Sequence, residues 1–334
     1  MREPELPALT VSELGYLWMG LSINDMSEKM LLPFRRHADD PSIREAFEYA
    51  ARTTTEMIAR RKTLMNAADY PPPTGFTEAD VNVDAPKLFT DRFLMYYLRV
   101  GAKLGMTFHA RAYAVSTRPD ILEYMEDCLT VSAQLHRRVT DTMIAKNLYW
   151  TTPSIPAADA PERMQKADYL NGWFGDKRPL SSVEIANMYE IIETLDMLDA
   201  MSVGFAQTAQ TEDTARLLLQ GSELARTHAR RMRGWLDEEQ LSHPPDLIGE
   251  ISESKTPLFS ERLMVCHLAG LFGSLLTVFG FTLGTVMRHD LVARYSALIA
   301  ETGAFTEKTT RFLIDREWLD KPPGTVDREA LLRT

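Results

Sequence analysis

Four acidic residues are the side chains whose placement in this sequence suggests chemistry. On a helical wheel of about 100° per residue, Leu14, Leu17, Trp18, Leu21 and Leu32 form one apolar stripe, and Asp25 and Glu28 fall inside it. Ile185, Met188, Tyr189, Ile192 and Val203 form a second stripe, with Asp196 and Asp199 at the equivalent places. A carboxylate on a core-facing stripe is costly unless it is paired, hydrogen-bonded or metal-bound. Each pair is therefore a candidate to build a polar pocket for a cation or a small polar ligand. The alternative is that the stripes end there, leaving the carboxylates to solvent or to an Arg on a neighbouring helix. The first helix also carries a competing stripe, Tyr16, Met19, Ile23, Met26 and Met30, whose counterparts Asn187, Glu190, Thr194, Met197 and Met201 are only partly apolar.

Two-metal carboxylate centres in helical bundles use Glu-x-x-His pairs. None of the seven His has a Glu three residues before it, so a standard di-iron centre is not expected. His228 is a candidate ligand of the second half alone, because its counterpart in the first half is Met57. Neither a metal nor a cofactor is specified by these residues. A nucleophile elbow, a phosphate-binding Gly loop, a Cys-x-x-Cys pair and a zinc-helix motif are all missing from the sequence, so catalysis has no positive support.

The elements that carry these residues are helices, and they come twice. Apolar periodicity predicts helices over about Val11 to His37, Ser42 to Ala68, Asp91 to Ser116 and Ile121 to Asn147. A Pro- and Gly-punctuated segment, 150–179, acts as a linker between a first bundle, 1–149, and a second, 180–334. Leu180-Ser-Ser-Val-Glu-Ile matches Leu9-Thr-Val-Ser-Glu-Leu at an offset of 171. After one deleted residue the offset becomes 170, where Leu258-Phe-Ser-Glu-Arg-Leu-Met matches Leu88-Phe-Thr-Asp-Arg-Phe-Leu. Connections that run short, long, short within each repeat predict an all-α protein of two tandem ferritin-like four-helix bundles related by internal duplication.

Composition narrows the partners. A net charge of -10 with scattered Lys and Arg disfavours nucleic acid and anionic membrane surfaces. The run Leu263 to Met287 is apolar enough to raise a membrane span, but its counterpart carries Arg99, Lys103, His109 and Arg111, which argues against one. Four glycines in that run, Gly270, Gly273, Gly280 and Gly284, suggest close helix approach or room for a small apolar ligand. Two Cys in apolar helical runs and an N-terminus unlike a signal peptide suggest a reducing, cytoplasmic setting. A protein partner or a homo-oligomer stays open.

Three motifs are distinctive: Gly172-Trp-Phe-Gly-Asp-Lys-Arg-Pro-Leu, the stretch from Gly75 to Phe89, and the Arg-x-Asp turns at Arg118 and Arg288. Through them, nearly the whole chain resembles the duplicated four-helix proteins of endospore-forming bacteria, a domain of unknown function sometimes labelled as spore coat protein. The resemblance implies the duplicated bundle and a spore association, and it brings no catalytic residues. The Arg-x-Asp turns themselves suggest a capped helix start and a tied-down preceding turn. Trp173 and Phe174 are expected to dock between the bundles. The resulting expectation is a non-enzymatic structural or interaction protein. The alternatives are a ferritin-like metal- or small-ligand-binding protein built on Asp25, Glu28, Asp196, Asp199 and His228, and a carrier of apolar ligands.

Overall fold

The computed structural model describes residues 7–157, 159–164, 166–173, 177–326, 328 and 332. Among these, eight α-helices run in order: α1 (Val11–His37), α2 (Pro41–Asn66), α3 (Asp91–Ala114), α4 (Pro119–Ala145), α5 (Ser182–Thr208), α6 (Glu212–Glu238), α7 (Glu261–Leu283) and α8 (His289–Asp315). Local chemistry sets their ends. Thr10 with Glu13 and Ser181 with Glu184 form matching capping boxes at the starts of α1 and α5. Pro41 and Pro119 sit in the first turns of α2 and α4, where a missing N–H costs nothing. Asp69, Asn147, Gln240 and Glu317 take positive φ just past α2, α4, α6 and α8, which turns the chain off each helix at equivalent places in the two repeats.

Helices joined by short turns pack as neighbours: α1 on α2, α3 on α4, α5 on α6 and α7 on α8. The long connections, 67–90 and 239–260, separate the second and third helices of each repeat. They also join the repeats. Val81 pairs in antiparallel fashion with Phe259, and Phe89 with Ile251. Val81 and Ile251 are equivalent positions, as are Phe89 and Phe259, so the two pairings are exchanged by a pseudo-two-fold axis. Behind them lies a symmetric aromatic cluster: Phe34 meets Phe89 and Phe259, and Phe205 meets the same two rings. One hydrophobic core therefore runs through both repeats.

Two expectations about the connecting regions change. Trp173 is 60% exposed rather than docked, and Phe174 lies outside the described residues. Among the glycines of α7, a Cβ at Gly273 or Gly280 would meet nothing within 4 Å, so neither serves a close helix approach. Gly284 ends the helix as its C-cap, and a Cβ on Gly270 would lie 3.9 Å from Met26 Cε of α1. The helix α7 is long and apolar enough to cross a membrane by length and composition, and 56% of its most apolar window is buried inside the protein.

Candidate functional site

Hydrogen-bond donors meet all four stripe carboxylates, from α6 at Asp196 and Asp199, from α2 at Glu28 and from the long connection at Asp25. Asp196 is buried and accepts a hydrogen bond from Arg233 Nη2 at 2.6 Å; the same nitrogen also donates to the Pro244 carbonyl in the long connection at 3.2 Å. Burial pushes the Asp196 carboxyl up to about 7, against the pull of Arg233. Asp199 accepts from Ser222 Oγ at 2.6 Å and from Arg226 Nε at 3.0 Å. In the first repeat, burial raises the pKa of Asp25, and the Phe76 backbone N–H opposes that rise by donating to its carboxylate. Glu28 is half-buried, accepting from Thr55 Oγ1 at 2.6 Å and from Lys29 Nζ at 3.2 Å. Asp196 and Asp199 thus pair with arginines of the neighbouring helix α6, while Asp25 and Glu28 are tied to the long connection and to α2. Arg233 and Arg226 supply the positive charge a cation would have brought.

His228 is buried in the second repeat, with Nε2 at 3.0 Å from Glu301, which Arg231 also holds at 2.8 Å. Burial lowers its pKa, and Glu301 works the other way. It does not meet Asp196 or Asp199. Among the described residues, no three His, Cys, Asp or Glu side chains gather as a metal cluster.

A cavity of about 220 Å³ lies elsewhere, in the first repeat. Its apolar lining comes from α1 to α4 and includes Met26, Leu31, Leu104 and Leu135, with Gly270 and Leu271 of α7 at one side. It reaches solvent beside Ile23, which is 37% exposed, and beside Gly101. A Cβ on Gly101 would meet nothing within 4 Å. Its polar lining groups are held neutral. Burial takes His109 down to about 3, with the Arg61 charge adding to the effect, and takes His267 down to about 4. Burial also raises the Tyr97 phenol, whose oxygen lies 3.2 Å from His267 Nε2. Ser132 Oγ lies 3.0 Å from His109 Nδ1.

The second repeat fills the same space. At the positions of Gly101, Ala102, Gly105, His109 and Leu135 stand Leu271, Phe272, Leu275, Phe279 and Phe305, all buried. The cavity and its residues escaped sequence reasoning because each sits within an ordinary helical pattern. A position-by-position comparison of the repeats carries the signal, since Gly replaces Leu twice in α3.

A second recess, about 400 Å³, lies between the repeats and holds Arg99, Lys103, His136 and Glu193. Its charges are satisfied internally: Arg99 Nε donates to both Glu193 oxygens at 2.9 and 3.1 Å, and Lys103 Nζ lies 3.3 Å from Glu193. The Arg-x-Asp turns are locking devices. Arg118 grips Asp120 with two nitrogens and donates to the Pro7 carbonyl at 3.2 Å. Arg288 does the same with Asp290 and the Arg178 carbonyl.

A family model described as protein of unknown function (DUF3231) matches the chain twice, over residues 3–160 and 168–331. Among solved structures, the chain is similar to a crystal structure from Bacillus halodurans C-125 described as "a putative spore coat protein". Identity is 16% and the TM-score 0.41, over 45% of this chain and 98% of that one. No curated protein matches.

Proposed function

The chain belongs to the DUF3231 family of proteins of unknown function, and within it we propose a non-enzymatic role in which the first repeat binds a small apolar molecule. The observation that carries this reading is the size asymmetry between equivalent positions, Gly101 and Gly105 against Leu271 and Leu275. At Gly105 a Cβ would stand 2.9 Å from Ser132 Oγ, so close packing explains that glycine, but at Gly101 a Cβ would meet nothing within 4 Å, and space left open beside a core without a packing reason costs stability. The groups around the opening favour binding over reaction. A proton-transfer catalyst works best with a pKa near the working pH, whereas His109 and His267 sit at about 3 and 4.

Titration of the full chain with 1-octanol, followed by backbone NMR shifts, tests this reading. Shifts confined to residues around Gly101 and Met26, and lost in Gly101→Leu, are the expected result. An unresponsive wild-type protein would refute the binding reading.

A second reading, as a structural or interaction protein, draws support from the carboxylates of α5, which arginines neutralise and tie into the scaffold. Spore association enters either reading through the motif resemblance alone, and expression confined to vegetative growth would remove it.

A further inference from the structure

Arg61 is fully buried, and its three guanidinium nitrogens have no hydrogen-bond partner among the described residues. Such a group stays charged in a protein, and leaving it unpaired in the interior is costly. The chain makes room for it deliberately. A Cβ on Gly20 would come within 2.4 Å of Arg61 Nη1, and the Tyr124 ring lies 5.3 Å from the guanidinium carbon.

The fold itself does not need this charge. The equivalents of Gly20, Asn24, Arg61 and His109 are Ile191, Leu195, Met232 and Phe279, which are buried apolar residues in the second repeat. The same four positions thus pack as hydrocarbon in one copy and as a polar cluster in the other. That cluster adjoins the cavity. Asn24 and Met57 line it, one helical turn from Gly20 on α1 and from Arg61 on α2 respectively, and His109 lines it from α3. Asn24 is itself buried, with an unpartnered Nδ2.

We propose that the first-repeat cavity takes a small anionic amphiphile, a monocarboxylic acid whose head meets Arg61 and Asn24 and whose apolar tail lies along Met26, Leu31, Leu104 and Leu135. This rests on the cavity reading above and adds the chemical class of the ligand. A guanidinium fork beside an amide N–H matches the two oxygens of a carboxylate. A volume of about 220 Å³ holds roughly seven water-sized groups of about 30 Å³ each, which suits a medium-length chain and not a long one.

Calorimetric titration of the full chain with octanoate and with 1-octanol at neutral pH tests the inference, in wild type, Arg61→Met and Asn24→Leu. Both variants install the residue of the second repeat, which that repeat already accommodates. Octanoate is expected to bind about tenfold or more tighter than octanol, in line with a charge-assisted hydrogen bond. That advantage disappears in Arg61→Met and shrinks in Asn24→Leu, while octanol affinity holds in both. Equal affinity of the two probes in wild type, or an undiminished octanoate advantage in folded Arg61→Met, overturns the anionic head and leaves the cavity reading standing. Binding of neither probe overturns both. Should Arg61→Met fail to fold by circular dichroism, the wild-type probe comparison and Asn24→Leu decide the matter.

Discussion

Asp196 and Arg233 show how a buried charge is held in this protein. The carboxylate is buried on α5, and its close donor also reaches the Pro244 carbonyl, so one arginine neutralises a charge and fastens a long connection. Removing one member of a buried pair typically costs more than the pair contributes, because the survivor is stranded. Arg233→Ala should therefore lose about 3 to 5 kcal/mol of stability, measured by denaturant unfolding. The pH dependence has a definite sign. Without Arg233, the raised pKa of Asp196 rises further, and a raised carboxylate favours the folded state only while it is protonated. The deficit of the variant should thus be larger at pH 8 than at pH 5; an equal deficit at both would show that Asp196 does not depend on this partner. Arg226 is more exposed, so its loss at Asp199 should be milder.

At the scale of elements, the turns between the third and fourth helices are clamped by the first helix of each repeat. Glu13 accepts from the backbone N–H groups of Thr117 and Arg118, each at 2.8 Å, besides closing its own capping box. Burial alone would raise its pKa, but these N–H groups hold it down at about 2. Glu184 stands likewise at about 2, where Arg178 and the Ser181 cap outweigh burial. A carboxyl whose folded pKa is depressed stabilises the protein above its unfolded pKa, and that stability is lost as pH falls through the folded value. Buried neutral His109 and His267 act in the same direction, since the unfolded chain takes up protons on them first. Asp196, raised to about 7, works the other way between about pH 7 and 4 but is one group against two histidines, so stability should decline from about pH 6.5 downward, and more steeply from about 4.5 towards 2. Replacing both Glu13 and Glu184 with Gln should flatten the lower part of that curve in a pH series of thermal melts. A curve of unchanged slope would mean that other carboxyls dominate.

In the whole molecule, the two repeats share a core, beside a smaller apolar cluster around Leu17, Leu21 and Tyr124 in the first repeat. The long connections exchange backbone pairing across the pseudo-dyad, four phenylalanines interlock between halves, and Arg99 of α3 reaches Glu193 of α5. Unfolding should consequently be a single cooperative transition, with the calorimetric enthalpy matching the van't Hoff value. A fragment spanning residues 1–160 should aggregate or remain partly folded, because Phe34 would lose Phe259 and Phe89 would lose Phe205. Two resolved transitions, or a soluble native-like fragment, would argue for independent bundles. The shared core also supplies α7 to the edge of the first-repeat cavity through Gly270 and Leu271, so ligand binding in one repeat depends on the other being present.

The duplication and the eight helices were legible in the residues themselves, because helical periodicity and a constant offset are local properties of the chain. The stripe positions of Asp25 and Asp196 likewise foretold burial. An Arg on a neighbouring helix was one of the readings open for them, but which residue covers each carboxylate was not legible, since Phe76, Arg233 and Arg226 come from other elements, at separations fixed only by packing. Trp173 misled for the same reason: a large apolar side chain signals a groove only where the fold provides one. The exchange of Leu for Gly between the repeats is visible in the sequence, but that it leaves a cavity, with an unpartnered Arg61 beside it, was decided by tertiary structure. A glycine in a helix reads the same whether it faces solvent, a neighbouring helix or open space, and only the arrangement of four helices around Gly101 shows which.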